Sequence, residues 1–263
     1  MKRHLNTALN ALGVFAVLVA LWQAIIWVFR VPSFMLPSPA LVAATLVTRI
    51  APLSQSLLIT AEEAGGGLLL SVLAGVAVSL VFAQSGWLRR MLYPYTILLQ
   101  TVPIIAVAPL ILMWSGSGAW SVTLIAFIIC LAPIIANTTQ GMISVEENLI
   151  HLFMMHKASP GQSLFKLRLP HAMPNLFAGI RISAGLSVIG AITGELFAGS
   201  SRVGQGGLGY SILYASAQLQ TAYLFALVIA ASVLGFAFFF LAMFVEWYFL
   251  HNWHQSARAG EVI

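Results

Sequence analysis

Few side chains in this sequence are of types that could carry out chemistry, and their spacing argues against catalysis. His151 and His156 are five residues apart, which is not the i, i+4 spacing of a helical metal site, and no acidic cluster accompanies them. Paired catalytic aspartates are excluded because all seven acidic residues are glutamate. Ser115 and Ser117 lie in a glycine-rich turn typical of a loop. The sequence therefore predicts neither a metal site nor a proteolytic centre.

Nucleotide binding by this chain is also disfavoured. A phosphate-binding loop of the G-x4-G-K-[ST] type needs a lysine after a glycine, and Lys2, Lys157 and Lys166 all lack that context. The segment Gly204–Gly209 matches the dinucleotide pattern G-x-G-x-x-G, but no strand precedes it, so it is interpreted as a turn. We expect no cofactor in this chain, and any energy from a nucleotide must come from another subunit.

The composition is that of a helical membrane protein. Of 263 residues, 60% are hydrophobic and 7% are charged, with a mean hydropathy of +0.96, whereas soluble domains are about 25% charged. Several apolar runs reach about 20 residues, the length of a transmembrane helix, so lipid is an expected partner. The net charge of +5 is scattered over loops, which argues against nucleic acid as a partner. Cys130, the single cysteine, lies in an apolar run and is predicted to be a buried thiol.

The apolar runs predict one transmembrane domain over residues 1–263, all-α, with six spans. Pro103 and Pro109 fall inside the third span and should bend or break it. Pro39–Ile50, capped by Ser38, is predicted to be a surface helix outside the bilayer. The six spans cover residues 8–29, 62–83, 93–114, 120–138, 176–197 and 222–248, with a long polar loop at 139–175.

Basic residues set the orientation of the spans. Cytoplasmic segments of membrane proteins carry an excess of Lys and Arg, and six spans with a cytoplasmic N-terminus place nine of the twelve basic residues inside and three outside. Both termini and the loop at 139–175 are therefore predicted to be cytoplasmic. The inner set is Lys2, Arg3, Arg89, Arg90, Lys157, Lys166, Arg168, Arg181 and Arg258, and the outer set is Arg30, Arg49 and Arg202.

The cytoplasmic loop contains a short amphipathic pattern. Leu149, Leu152, Phe153 and His156 follow at i, i+3, i+4 and i+7, so they share one face of a helix. Such an apolar face can fit a groove on a partner protein. It can also lie on the membrane or against the rest of the chain, and the pattern alone leaves these alternatives open.

The same loop resembles a motif of the permease subunits of type I ATP-binding-cassette importers. Their loop carries Glu-Ala-Ala, three residues, Gly, nine residues, then Ile-x-Leu-Pro. The spacing is kept here by His151–Phe153, by Lys157 and by Leu167–Pro170, although His-Leu-Phe replaces Glu-Ala-Ala and lysine replaces glycine. A lysine at that position removes a conformationally permissive residue.

Dispersed segments extend the resemblance from about Leu36 to the last span. They are similar to the subgroup that imports nitrate, taurine, alkanesulfonates and thiamine-precursor pyrimidines, and Ser187–Glu195 is most similar to permeases for pyrimidines or related heterocycles. The other segments are Leu36–Pro39, Gln100–Pro103, Ala108–Leu110, Asn137, Phe177–Arg181, Gly194–Leu196 and Gly207–Tyr210.

The resemblance implies a fold, partners and a location. The fold would be the MetI-like type I importer fold in a bacterial cytoplasmic (inner) membrane, with the loop as a coupling helix that docks on an ATPase subunit binding ATP and Mg²⁺. A second permease subunit, expected to be identical, and a substrate-binding protein would complete the importer. The docking residues would be Asn148, Leu149, His151, Leu152, Phe153, Met155, His156, Lys157, Ala158, Ser159 and Pro170.

Polar residues at membrane depth are candidates for the translocation pathway. Gln100, Thr101 and Asn137 can line a pathway, with packing or capping as the alternative. Glu195 can face the pathway or form a hydrogen bond to a neighbouring helix. Pro103 and Pro109 would shape the bends around it.

Two questions stay open on the sequence alone. Gly190 and Gly194 form a small-x3-small pair that lets helices approach closely, either within one chain or between two chains. The alternative function is a secondary transporter or channel that works without an ATPase, but that function would leave the apolar face of the loop helix unexplained.

Overall fold

The computed structural model describes the backbone of residues 2–198 and 206–251, and within them the side chains of residue 10 and of residues 13 onward. Every regular element in these ranges is helical. Arg202, Arg258 and the start of the glycine pattern at Gly204 lie outside the described residues. In chain order the elements are α1 (Lys2–Phe29), α2 (Pro39–Thr48), α3 (Ile50–Gln84), α4 (Gly86–Thr101), α5 (Ile104–Ser115), α6 (Ala119–Ile143), α7 (Glu147–Met155), α8 (Pro160–Ser163), a π-turn (Leu164–Arg168), α9 (Leu169–Ala198), α10 (Leu208–Ala217) and α11 (Thr221–Leu250).

Within the described ranges, four helical segments are long and apolar enough to cross a bilayer: α3, α6, α11 and the segment that ends with α9. A fifth span arises if the bent pair α4 and α5 is counted as one. The predicted first span falls on α1, of which Gly13–Phe29 forms a shorter apolar helix. Most described side chains of α1 are exposed, and its Trp22 ring lies 5.5 Å from the ring of Phe225 in α11.

The helices extend beyond the predicted span limits. α3 begins at Ile50 rather than near residue 62, α6 continues to Ile143, and α9 begins at Leu169 rather than near residue 176. Hydropathy marks only the part of a helix that meets lipid, whereas a helix can continue wherever its polar side chains meet other protein. In the extra turns of α3, Ser56 shares a hydrogen bond of 2.9 Å with Ser211 of α10.

The third span is broken at Pro103, one of the two prolines that were expected to bend or break it. α4 ends at Thr101, α5 begins at Ile104, and their axes differ by 102°. Val102, which precedes Pro103, has the extended backbone expected before a proline. Pro109, which was also expected to bend or break this span, lies inside α5, and the helix continues through it. A proline removes one backbone hydrogen bond, and α5 accommodates that loss without a break.

Small residues bring α3, α6 and α9 close together. A Cβ atom built on Gly67 of α3 would lie 2.6 Å from Cβ of Ala126, and one built on Gly190 of α9 would lie 2.8 Å from Cα of the same Ala126. Hydroxyl groups add interhelical hydrogen bonds, such as the 2.7 Å bond from Ser71 Oγ to the carbonyl oxygen of Phe127. In lipid, such close approach replaces the hydrophobic force that packs helices in water.

The glycine pair of α9 makes its contact within one chain. Gly190 lies against Ala126, and Gly194 lies against Val122, both residues of α6. Cys130 is fully buried at the same interface, and its carbonyl oxygen accepts a 3.0 Å hydrogen bond from Ser183 Oγ of α9. Helices α3, α6 and α9 therefore form one packed block, which we call the membrane block.

Gly190→Ala should destabilise this block, because the new methyl group would meet the backbone of Ala126, which cannot move aside. Overpacking of this kind costs about 1–3 kcal/mol. Gly185→Ala in the same helix is the matched control, since nothing lies within 4 Å of the position that its Cβ would take. Thermal unfolding in detergent, followed by tryptophan fluorescence, measures the difference. Equal melting temperatures for the two variants would contradict the close contact.

Candidate functional site

The loop helix α7 stands out from the rest of the subunit. None of its side chains is buried, although it carries several large apolar residues. Leu152 is 47% exposed and Met155 is 81% exposed. The predicted docking residues Asn148 and His151 are also exposed on this helix. An apolar helix that meets so little of its own chain presents a surface suited to another molecule.

A cavity of about 370 Å³ lies beside α7. Four of its lining residues belong to the predicted docking set, and two from the next turns, Gln162 and Lys166, were not predicted. The sequence could have predicted that Gln162 and Lys166 lie together, because residues spaced i, i+4 share one face of a helix. The lining residues are Leu152, Phe153, His156, Ala158, Gln162 and Lys166.

The turn after α7 is held in a fixed shape. Lys157, which stands where the resembling motif has glycine, takes a positive φ of 52°. Glycine adopts this conformation freely, whereas a residue with a side chain pays about 1 kcal/mol or more. The backbone N–H of Ala158 donates to the carbonyl of Phe153 at 3.0 Å, which closes the turn. Ser159 then begins α8 with a capping box to Gln162.

The base of the loop is anchored to the membrane block. Leu164 of the π-turn packs in an apolar cluster with Ala83 of α3, Met142 of α6 and Ala172 of α9. Arg168, at the end of the π-turn, donates from Nη1 to the carbonyl oxygen of Ala83 at 2.8 Å. The remaining predicted docking residue of this region, Pro170, lies half-buried at the start of α9, away from the exposed helix α7.

A second cavity, of about 600 Å³, lies in the membrane region where α4 meets α5, α6 and α9. It brings together two of the predicted pathway residues, Gln100 and Asn137. Asn137 Nδ2 donates to the carbonyl of Pro133 at 2.8 Å. The other lining residues are Leu99, Val102, Ile104, Val107, Ile128, Ile129, Pro133, Ile182 and Leu186.

Three other predicted pathway residues do not line this cavity. The Thr101 hydroxyl donates to the Leu98 carbonyl of its own helix at 2.8 Å. Pro103 forms the break beside the cavity, and Pro109 lies farther along α5. Pro103 thus shapes the cavity through the backbone rather than through its side chain.

Glu195 is buried at the junction of α3, α9 and α10, away from the cavity. Its Oε1 accepts a 2.6 Å hydrogen bond from Thr60 Oγ1, and its Oε2 accepts a 2.5 Å bond from the backbone N–H of Gly209. Thr60 Oγ1 in turn accepts from the N–H of Leu208 at 2.8 Å. Of the two roles open to Glu195, this geometry shows the hydrogen bond between helices. The Glu195 carboxyl group thus accepts the free N–H of Gly209 at the start of α10, and Thr60 accepts that of Leu208.

Sequence reasoning missed Thr60 and Gly209, two of the partners of Glu195. Thr60 is separated from Glu195 by 135 residues, so no local pattern connects them. Gly209 did carry a signal, because it belongs to a glycine-rich segment. A Cβ atom there would lie 2.8 Å from Cβ of Glu195, so only glycine permits this approach.

Thr60→Val should loosen α10 from α3 and α9. The substitution keeps the shape but leaves one oxygen of Glu195 and the N–H of Leu208 without this partner, and each buried unpaired group costs about 1–3 kcal/mol. Thr193→Val is the matched control, because its hydroxyl bonds only to the Ile189 carbonyl of its own helix. Hydrogen exchange of the α10 amides should accelerate in Thr60→Val alone. Equal exchange in both variants would show that the hydrogen bonds of Thr60 to Glu195 and Leu208 do not hold α10.

The chain matches a family model described as the binding-protein-dependent transport system inner membrane component, over residues 67–247. This match covers well over half of the sequence and includes the loop, the membrane cavity and Glu195. The chain belongs to this family. It is therefore a multi-pass, non-enzymatic permease component of an ATP-binding-cassette importer, and the family prediction made from the loop and the dispersed segments is confirmed.

Named relatives agree with the family. The chain is 36% identical over 193 residues to the riboflavin transport system permease protein of Chloroflexus aurantiacus, covering 73% of this chain and 71% of that protein. It is 31% identical over 240 residues to the formylaminopyrimidine transport permease protein of Halalkalibacterium halodurans, covering 89% and 92%. The taurine transport system permease protein of Escherichia coli is 28% identical, with coverage of 86% and 83%.

A solved structure shows the same fold. The match is to a chain of the methionine ABC transporter MetNI in an inward-facing form, with a TM-score of 0.50 and 21% identity. It covers 74% of this chain and 95% of that chain. The predicted all-helical, MetI-like fold class is thereby confirmed.

Proposed function

We propose that two identical copies of this chain form the translocation pathway of an importer that is driven by separate ATPase subunits. The ATPases dock on α7 from the cytoplasm, and a binding protein delivers the solute to the outer face. The observation that carries this proposal is α7 itself, an apolar helix without a buried side chain.

The physical argument for docking is the cost of leaving α7 uncovered. Leu152 and Met155 expose apolar surface that gains free energy on burial, at about 25 cal/mol per Å². The cavity beside Phe153 and His156 offers a concave seat for a side chain of the partner. The turn at Lys157 connects α7 to the loop base, which is packed on α3, α6 and α9. Movement of a docked ATPase can therefore displace the membrane helices through this connection.

The ATPase partner supplies the energy, since this sequence has no phosphate-binding loop. ATP and Mg²⁺ are bound there and not in the permease. This arrangement requires α7 in the cytoplasm and therefore both termini inside, as the distribution of basic residues also indicates.

The membrane cavity favours a heterocyclic solute over an oxyanion. Gln100 and Asn137 are the two amide side chains in an otherwise apolar lining, and no lining residue is charged. A nitrate or a sulfonate would meet no countercharge there, and burying an unpaired anion is costly. A neutral ring with amide-like edges can hydrogen-bond to both amides. Among the named relatives, those for riboflavin and formylaminopyrimidine match this chemistry best.

Phe153→Asp should abolish docking of the ATPase, because it places a charge on the apolar face and in the cavity beside it. Phe165→Asp is the matched control, since Phe165 lies in the same loop, is 59% exposed, and does not line the cavity. Co-purification in mild detergent, after expression with the neighbouring genes, measures the bound ATPase. An ATPase that travels with the wild type and Phe165→Asp but is lost from Phe153→Asp supports the proposal.

A different pattern would overturn it. If the wild-type chain purifies alone and still moves solute in liposomes without ATP, the protein works as a secondary transporter or channel. If Phe153→Asp retains the ATPase as well as the wild type does, docking occurs elsewhere.

Gln100→Leu should slow uptake without loss of the ATPase. The substitution removes one of the two amides of the cavity, and a hydrogen bond contributes about 0.5–1.5 kcal/mol, which corresponds to a loss of about two- to tenfold. Thr96→Val on the same helix is the control, because its hydroxyl bonds to the Tyr93 carbonyl at 2.7 Å and lies outside the cavity. Uptake in proteoliposomes, with the heterocycle delivered by its binding protein, gives the comparison. Equal uptake by both variants would remove Gln100 from the pathway.

A further inference from the structure

We propose that Arg168 passes movement of the docked loop to the corner between α3 and α4, so that α4 works as a lever whose far end reshapes the membrane cavity. This inference rests on the proposed function, because it takes an ATPase on α7 as the source of movement. It assigns to one side chain a role as a positioning residue for transport.

The contact that makes Arg168 a connector is its hydrogen bond to α3. Nη1 lies 2.8 Å from the carbonyl oxygen of Ala83, in the last turn of that helix. The final carbonyls of a helix have no partner within the helix, and the end is partly negative. A guanidinium group is therefore held there both by the hydrogen bond and by charge.

The junction between α3 and α4, next to this contact, can act as a hinge. α3 ends at Gln84 and α4 begins at Gly86, so Ser85 alone joins the two helices. Ser85 has extended backbone, and its Oγ accepts the N–H of Leu88 at 3.3 Å. A junction of one residue lets the helices change their mutual angle through a few backbone torsions.

On the loop side, the π-turn fixes where Arg168 lies. Leu164 and Leu167 are buried while Phe165 and Lys166 between them are exposed, so one face of the turn is held against the protein. Leu164 shares its apolar cluster with Ala83, the residue whose carbonyl Arg168 binds. π-helical turns are rare and frequently occur at functional sites. The loop base therefore grips the end of α3 through packing and a hydrogen bond together.

The loop base contacts α3, α6 and α9, and α4, which is joined to α3 through Ser85, has fewer buried residues than any of these three helices. α3, α6 and α9 form the closely packed block, whereas Thr96 is the one buried residue among the sixteen of α4. Sixteen residues span about 24 Å, so a rotation of about 10° at Ser85 would displace the far end by about 4 Å. That end carries Leu99 and Gln100 of the membrane cavity, just before the break at Pro103. A rotation at Ser85 would thus change the position of residues that line the membrane cavity.

Arg168→Gln tests this role in the reconstituted complex of permease, ATPase and binding protein. The variant should bind the ATPase and hydrolyse ATP as the wild type does, while uptake per ATP hydrolysed falls about tenfold. Arg168→Lys should recover most of that ratio, because its ammonium can donate to the same carbonyl. Arg90→Gln is the matched control, since Arg90 is exposed and its Nε bonds only to the Gly86 carbonyl of its own helix.

A spectroscopic measurement distinguishes transmission of movement from the loop to α4 by Arg168 from a purely structural role of this residue. Tyr95 is 64% exposed on α4, and the one native cysteine is buried, so Tyr95→Cys can be labelled with a spin label at a single site. ATP should change the spectrum of this label in the wild-type background and in Arg168→Lys, but not in Arg168→Gln.

The outcomes distinguish this inference from the function beneath it. If no ATPase binds the wild type, the proposed function fails, and this inference fails with it. If the ATPase binds and Arg168→Gln keeps the wild-type ratio and the wild-type label response, the importer stands and the lever is wrong. If Arg168→Gln and Arg168→Lys both fail to assemble, Arg168 is a structural brace and the inference is overturned.

Discussion

Close contact between small residues is the constraint on which the rest of this structure depends. Lipid chains are as apolar as leucine, so helices in a membrane gain little from hiding apolar side chains from one another. Gly67 and Gly190 instead let α3 and α9 approach Ala126 of α6 to backbone distance. Serine and threonine hydroxyls then bond across the gaps, as Ser71 does to the carbonyl of Phe127. The resulting block of three helices is the frame to which the functional parts are attached.

The functional parts differ from the block in how they are held. Helix α10 is held by a buried glutamate side chain, the loop base by an arginine at a helix end, and α4 by few buried side chains. Each attachment consists of a small number of directional contacts rather than a wide apolar surface. These attachments therefore depend on individual hydrogen bonds, so that loss of one partner leaves a buried polar group unpaired.

Hydropathy and proline positions predicted the membrane class and the break at Pro103. They could not show that α3 starts at Ile50, because its early turns are held by tertiary contacts, with Leu53 in the apolar core and Ser56 bonded to Ser211 of α10. The amphipathic spacing of α7 is a local signal and was predictable, whereas the sequence left two roles open for Glu195, because its partner Thr60 lies 135 residues away. The positive φ of 52° at Lys157 was signalled only by the glycine that the resembling motif has at this position, because lysine itself does not favour that conformation.

The exposure of α1 has a consequence for how the sequence can change over time. Most of its described side chains face away from the subunit, and Trp22 makes its ring contact with Phe225 at the far end of the chain. Substitutions among apolar residues along α1 therefore alter little of the packing inside the subunit. Within one subunit, α1 therefore tolerates exchange among apolar residues better than the helices that pack on Ala126 do.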